Sequence, residues 1–241
     1  WGDNAFGQLG DGTTTPSTTP VQVVGLGNVL AVTSGYFFSC ALTSTGSVWC
    51  WGVNASGQLG DGLTHQTCVN DDCSTTPVLI STIDDATSID GGSYAVCAVR
   101  QDDTVWCWGE GIYGQLGVQN PPDDCNGDAC SRVPVQTEVN ADMISVSGGG
   151  LHSCATKGNG TLWCWGYNGS GELGDGTTAN SPIPVEVVNI SSGSAVSAGG
   201  FHSCGLVSDQ TLHCWGWNID GQLGVGDNMN LHMPTAVQDH L

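Results

Sequence analysis

The chain has 241 residues, rich in glycine (37), cysteine (12) and tryptophan (9), and sets 23 acidic side chains against three basic ones for a formal charge of −20. That balance excludes a protein that grips a phosphate backbone or an anionic membrane surface, since both need a basic footprint. No apolar run approaches the roughly 18–20 residues of a helical span, so no membrane insertion is expected.

The chain opens on Trp1-Gly2, without Met and without a basic, apolar leader. It is read as a mature product or as a piece of something longer. A glycine-leucine turn follows, "GQLGDG" at residues 7–12, and then a proline-led, β-branched run, "TPVQVV". The next element is "SCALTSTGSVWCWG", residues 39–52. Centred on Thr45, it reads as a β-hairpin in which Cys40 faces Cys50, Leu42 faces Val48 and Ala41 faces Trp49. Gly46 then occupies the left-handed position of a three-residue tip.

The same elements return down the chain. "WG" stands at 1, 51, 108, 165 and 215, and each is followed by a turn of the "GQLG" type. Segments such as "AVSAGG" precede the later hairpins. Cys97 faces Cys107, Cys154 faces Cys164, and Cys204 faces Cys214 in the same register. Each time, the small residue Ala98, Ala155 or Gly205 meets a ring, Trp106, Trp163 or His213. Directly opposed positions of an antiparallel pair lie close enough for a disulfide. Four separate hairpins cannot share one zinc ion, so these cysteines are staples, each worth roughly 2–3 kcal/mol. Two closer pairs, Cys68/Cys73 and Cys125/Cys130, leave no cysteine over. Full pairing at this density predicts an oxidising, extracellular compartment.

About four short strands per period of some 50 residues predicts an all-β propeller, or an open propeller-like array, of four-stranded antiparallel blades. The stretch "VSGGGLHSCATKGNGTLWCWGYNGSGELGDG", residues 146–176, resembles the regulator of chromosome condensation repeat family. The resemblance covers nearly the whole chain. It implies a β-propeller, usually seven-bladed. The family's best-known nuclear member is a nucleotide-exchange factor on chromatin. This chain departs from that pattern by its acidity, its lack of a basic tail and its disulfide in each repeat. The family's secreted members, which include bacterial proteins that bind and inhibit other proteins, are the nearer analogy.

The period divides residues 1–241, read as a single repeat domain, into units 1–50, 51–107, 108–164 and 165–214, with a partial fifth unit at 215–241. On this division the strand near Pro234–Val237 lacks partners within the chain. It is expected to pair with a segment outside it, and so to offer an open edge to another copy.

Few residues point to chemistry. His152 and His202 stand in "LHSC" and "FHSC", where the first repeat has Phe38. Alternation sends Ser153 and Ser203 to the face opposite each histidine, which removes a hydrolase arrangement and favours structural hydrogen bonding. Five tryptophans belong to "WG" and three face the small hairpin residue, which leaves Trp217; with Tyr167 it is a candidate exposed aromatic contact. Two insertions, "CVNDDC" and "CNGDAC", present Asp71 and Asp72, and Asp123, Asp124 and Asp128. Calcium is the natural guest of such oxygen-rich loops, although neither has the spaced acids of an EF-hand. Their equivalent positions should place them side by side on one face. Asn54, Asn159, Asn168 and Asn189 begin glycosylation sequons. The expected function is an extracellular binding or structural module without catalysis, with a protein partner or self-association. The alternatives are a subunit of an extracellular fibre and a secreted protein inhibitor.

Overall fold

The structure is a computed structural model that describes residues 1–139 and 141–238. Its regular elements are all strands, in four antiparallel sheets. The first sheet contains β1 (Val29–Ser34), β2 (Phe38–Thr43), β3 (Val48–Val53), β4 (Gln66–Cys68) and β5 (Asp71–Leu79). The second contains β6 (Ala86–Gly91), β7 (Ala95–Arg100), β8 (Val105–Glu110), β9 (Asp123–Cys125) and β10 (Asp128–Gln136). The third contains β11 (Met143–Gly148), β12 (His152–Lys157), β13 (Leu162–Gly166) and β14 (Ser181–Glu186). The fourth contains β15 (Gly193–Ala198), β16 (His202–Val207), β17 (Leu212–Gly216) and β18 (Leu231–Ala236).

The central hairpin of each sheet has the register that residue size demands. Cys40 pairs with Cys50, Ala41 with Trp49 and Leu42 with Val48. The same holds for Cys97/Cys107 with Ala98/Trp106, for Cys154/Cys164 with Ala155/Trp163, and for Cys204/Cys214 with Gly205/His213. All four pairs are bonded, with Cα atoms 4.0–4.1 Å apart. Cys68–Cys73 and Cys125–Cys130 are bonded too. Gly46 turns the first tip with φ 82°.

The sheets do not follow the units read from the cysteine period. Each hairpin takes as its fourth strand the proline-led run that follows it, so β5, β10, β14 and β18 pair with β3, β8, β13 and β17. The strand expected to find its partner outside the chain is therefore paired within it: Cys214 faces Thr235, and His213 faces Ala236. After "WG" the chain loops out through its glycine-leucine turn and returns antiparallel along the same hairpin. Proline suits this strand because it has no N–H to give and belongs at an edge or bulge. The strands of the 215–241 unit thus complete the fourth sheet, and residues 239–241 lie outside the described residues. The unit outside the four sheets is at the other end of the chain, where Gly2 bridges Ser17.

The core lies between the sheets. Phe38, Leu59 and Ile80 share a buried cluster with Val96 and Trp108 of the second sheet. Val99, Leu116 and Met143 do so with Trp165 of the third, and Leu162, Leu173 and Ile190 with Trp215 of the fourth. Each such side chain contributes about 1.5–3 kcal/mol on burial. The "WG" tryptophans pin the seams: the indole N–H of Trp51, Trp108, Trp165 and Trp215 donates to the carbonyl of Gln8, Gln58, Gln115 and Glu172 at 2.8–3.0 Å.

Candidate functional site

The histidines and serines of the repeats belong to these seams. His152 is buried, and its Nε2 lies 2.8 Å from Ser203 Oγ of the next sheet. Ser203 in turn donates to the Glu172 carbonyl at 2.9 Å, so the imidazole is the donor of the first bond. Its Nδ1 has no partner among the described residues. Burial, and then the neighbouring His202, lower His152 to about 4. Ser153 points the other way and donates to the Gln115 carbonyl at 3.1 Å. The alternation expected of a strand separates each histidine from its adjacent serine, and His152, Ser153 and Ser203 hold sheets together.

The asparagine sequons divide by burial. Asn54 and Asn168 are buried, and each accepts the N–H of Leu59 or Leu173 on Oδ1 while its amide donates to loop oxygens. Asn4 and Asn218 do the same for Leu9 and Leu223. At Asn54 and Asn168 the sequon is therefore a turn device and not an accessible acceptor. Asn159 and Asn189 are exposed.

The acidic insertions form the small hairpins β4–β5 and β9–β10. Their carboxylates are largely occupied by the protein. Asp72 accepts the His65 N–H at 2.6 Å and the Asn54 amide at 2.7 Å. Asp123 accepts the Arg132 N–H at 2.8 Å, and Asp124 the Gly127 N–H at 2.6 Å. Asp71 is half-buried and Asp128 exposed. Among the described residues no group of three or more His, Cys, Asp or Glu side chains is arranged to hold a metal ion.

What gathers at the same end as these hairpins is aromatic. The residue after each "WG" donates its N–H to the turn between the first two strands: Val53 to Phe37, Glu110 to Tyr94, Tyr167 to Leu151 and Trp217 to Phe201. Glu110 and Asn54 also lie beside the insertions, through Gly111 N–H to Ala129 and Asn54 N–H to Asp72. One row of rings runs from Tyr113 to Tyr167 (5.3 Å between centroids), to Phe201 (6.2 Å) and to Trp217 (6.3 Å). Tyr167 and Trp217 thus meet through Phe201, a turn residue that alternation by itself does not single out. A second group joins Phe6 to Phe37 (5.1 Å), and Tyr36 stacks on Tyr94 (5.4 Å). All four tyrosines of the chain are on this face. Tyr36 is 64% exposed and Phe201 46%.

Between the two groups, Gln115 ties a carboxylate to a ring. Its Oε1 accepts the Tyr113 N–H at 2.9 Å and its amide donates to Glu110 at 3.1 Å. Burial, and then Asp128, raise Glu110 above the ordinary carboxylate range. Tyr94 is raised by burial, then by Glu110 and Tyr36. A cleft of about 300 Å³ opens between Ile112 and Tyr113 on one side and Pro121, Ala129 and Pro182 on the other.

A family model described as an RCC1-like domain matches residues 1–241. The chain belongs to the RCC1-like family. Human E3 ubiquitin-protein ligase HERC2 is 27% identical over 195 residues, which are 76% of this chain and 4% of that protein. Ultraviolet-B receptor UVR8 of Arabidopsis thaliana is 32% identical over 96 residues, 40% of this chain and 21% of the receptor. Human WBSCR16 superposes with a TM-score of 0.80 at 23% identity, over 99% of this chain and 61% of its own. Yeast RCC1 (Prp20), in its complex with Kap60, superposes with a TM-score of 0.80 at 20% identity, over 95% of this chain and 53% of its own. The RCC1-like chain thus spans a small part of those curated relatives and little more than half of the yeast structure. The likeness to the solved structures shows the fold: the four sheets are blades of a β-propeller.

Proposed function

We propose that this RCC1-like chain is an extracellular, non-catalytic module that binds a protein partner through its aromatic face. One observation carries the reading: the chain has four tyrosines, and all four stand on the face that also holds Phe201, Trp217 and the stapled hairpins. Tyrosine and tryptophan are the residues enriched at protein interfaces, since they bury large area and keep a polar end in water. The six disulfides support an oxidising compartment. The seam roles of His152 and Ser203 leave neither free for catalysis.

The test uses the oxidised chain, immobilised and probed with a panel of secreted proteins and receptor ectodomains. The pair Tyr113→Ala with Phe201→Ala should abolish capture. The pair Asp102→Asn with Asp209→Asn, at the opposite hairpin tips, should preserve it. Equal loss from both pairs, or no capture at all, would refute the reading.

A second reading, self-association, is favoured by strand β1, where Leu30 is 70% and Val32 71% exposed. Light scattering coupled to size exclusion should then report a dimer or larger species that Val32→Lys returns to a monomer. A monomer at millimolar concentration removes this reading.

A further inference from the structure

We propose that the aromatic face receives an extended protein segment with lysine or arginine at alternate positions, its cations lying on the ring row and against the Glu110–Asp128 pair. This rests on the reading that the face binds protein, and names the chemistry of the partner.

The first argument is the supply of cations. Cations are drawn to the faces of aromatic rings within about 6 Å. The chain itself uses this contact at its other end, where Arg100 lies 5.5 Å over Trp106 and Lys157 5.4 Å over Trp163. Only three basic side chains exist in the chain. Arg100 and Lys157 are taken by those tryptophans, and Arg100 also donates to Asp85 at 2.6 Å. Arg132 is turned to the Asp124 carbonyl at 3.3 Å. A cation for the row formed by Tyr113, Tyr167, Phe201 and Trp217 therefore has to come from outside the chain.

The second argument is charge. With a net charge of −20, the protein repels acidic partners and accelerates the approach of basic ones. Glu110 is half-buried beside Asp128, and among the described residues its one side-chain hydrogen-bond partner is the neutral Gln115 amide. An arriving cation would offset both the burial and the like charge. Because Gln115 also holds the Tyr113 backbone, the carboxylate and the first ring keep a fixed relation.

The third argument is spacing. Successive ring centroids are 5.3, 6.2 and 6.3 Å apart. Alternate side chains on one face of an extended strand recur every ~6.6 Å. Residues i, i+2 and i+4 of such a segment can each come within reach of a ring.

The experiment is fluorescence anisotropy with the oxidised chain and two labelled octapeptides, one alternating Arg and Ser, the other Glu and Ser. The Arg peptide should bind and the Glu peptide should not. Tyr167→Ala and Phe201→Ala should each weaken the Arg peptide about tenfold. Tyr167→Phe should hold affinity within twofold, and Glu110→Gln should weaken it by about threefold or more. Asp102→Asn with Asp209→Asn removes two charges from the far end and should change affinity less than twofold. Melting curves establish that each variant is folded. Equal weakening by ring and far-end variants would reduce the effect to bulk charge and overturn the proposal, as would equal binding of both peptides. Face-dependent capture of secreted proteins, combined with no binding of the Arg peptide, would leave the site standing and overturn its cationic partner alone.

Discussion

The third and fourth blades are written in almost the same words and lie in different surroundings. Strand β12 reads HSCATK and β16 HSCGLV, and "LWC" on β13 answers "LHC" on β17. Leu162 of the third blade is fully buried, while Leu212 at the same position of the fourth is 42% exposed. The cause is the next sheet. A Cβ placed on Gly205 would come within 2.7 Å of Leu162 Cδ1, so the fourth blade sits directly on that leucine and has a glycine there to make room. Among the described residues no sheet covers Leu212. The disulfide and hairpin register are properties of one blade, whereas burial is a property of a pair of blades.

The largest expected effect tests that difference directly. Leu162→Ala should destabilise by about 2–5 kcal/mol, the range for a leucine removed from a packed core. Leu212→Ala should cost under about 1 kcal/mol. Chemical melts of the two variants decide it, and equal losses would mean that the blades do not share a core.

The seam histidine sharpens the same point. His152 is held near 4 in the fold, against 6.5 for the ordinary side chain. The unfolded chain therefore takes its proton first. The stability that neutral His152 secures is complete above 6.5 and is lost as pH falls from there toward 4, up to about 3 kcal/mol. Phe38 fills the equivalent position of the first blade and is buried. His152→Phe should thus flatten the pH dependence between 6.5 and 4 relative to the parent chain. Measuring the two side by side cancels the contribution of Glu172, whose burial raises it and acts in the opposite sense. An unchanged slope would place the imidazole in water.

Within one blade, Ala98 faces Trp106 and is fully buried. Ala98→Leu should destabilise by about 1–3 kcal/mol through overpacking. A neutral melt would contradict the pairing.

The smallest expectation concerns the acidic hairpins. With Asp72, Asp123 and Asp124 already accepting N–H groups, millimolar calcium should leave the melting temperature unchanged. Stabilisation by calcium but not by magnesium, removed by Asp124→Asn, would reverse this view.

Cysteine spacing and the alternation of small with large residues were enough to read every central hairpin pair, because both depend on local strand geometry. The all-β repeat class followed from the same local signals. The sequence could not say that the proline-led strand closes the blade behind it. That choice depends on where the looped "GQLG" segment comes to rest, and the cysteine period is equally compatible with the other division. The Asn of the "WG" loops looked like glycan acceptors at Asn54 and Asn168. Only the folded loop turns Oδ1 inward to the Leu59 and Leu173 N–H.

The candidate site was the least legible part. Trp217 and Tyr167 stood out in the sequence, but Tyr36, Tyr94, Tyr113 and Phe201 come from two loop types in different repeats and share no motif. The sequence by itself determined the staples, the hairpin registers and the acidity, since each is set by residues within one hairpin or by composition. The tertiary structure alone decided which strand ends each blade, which of two matching leucines is buried and which rings share a face. Those outcomes depend on how one blade is set against the next, and so on contacts between residues about 50 positions apart, such as Trp108 and Gln58.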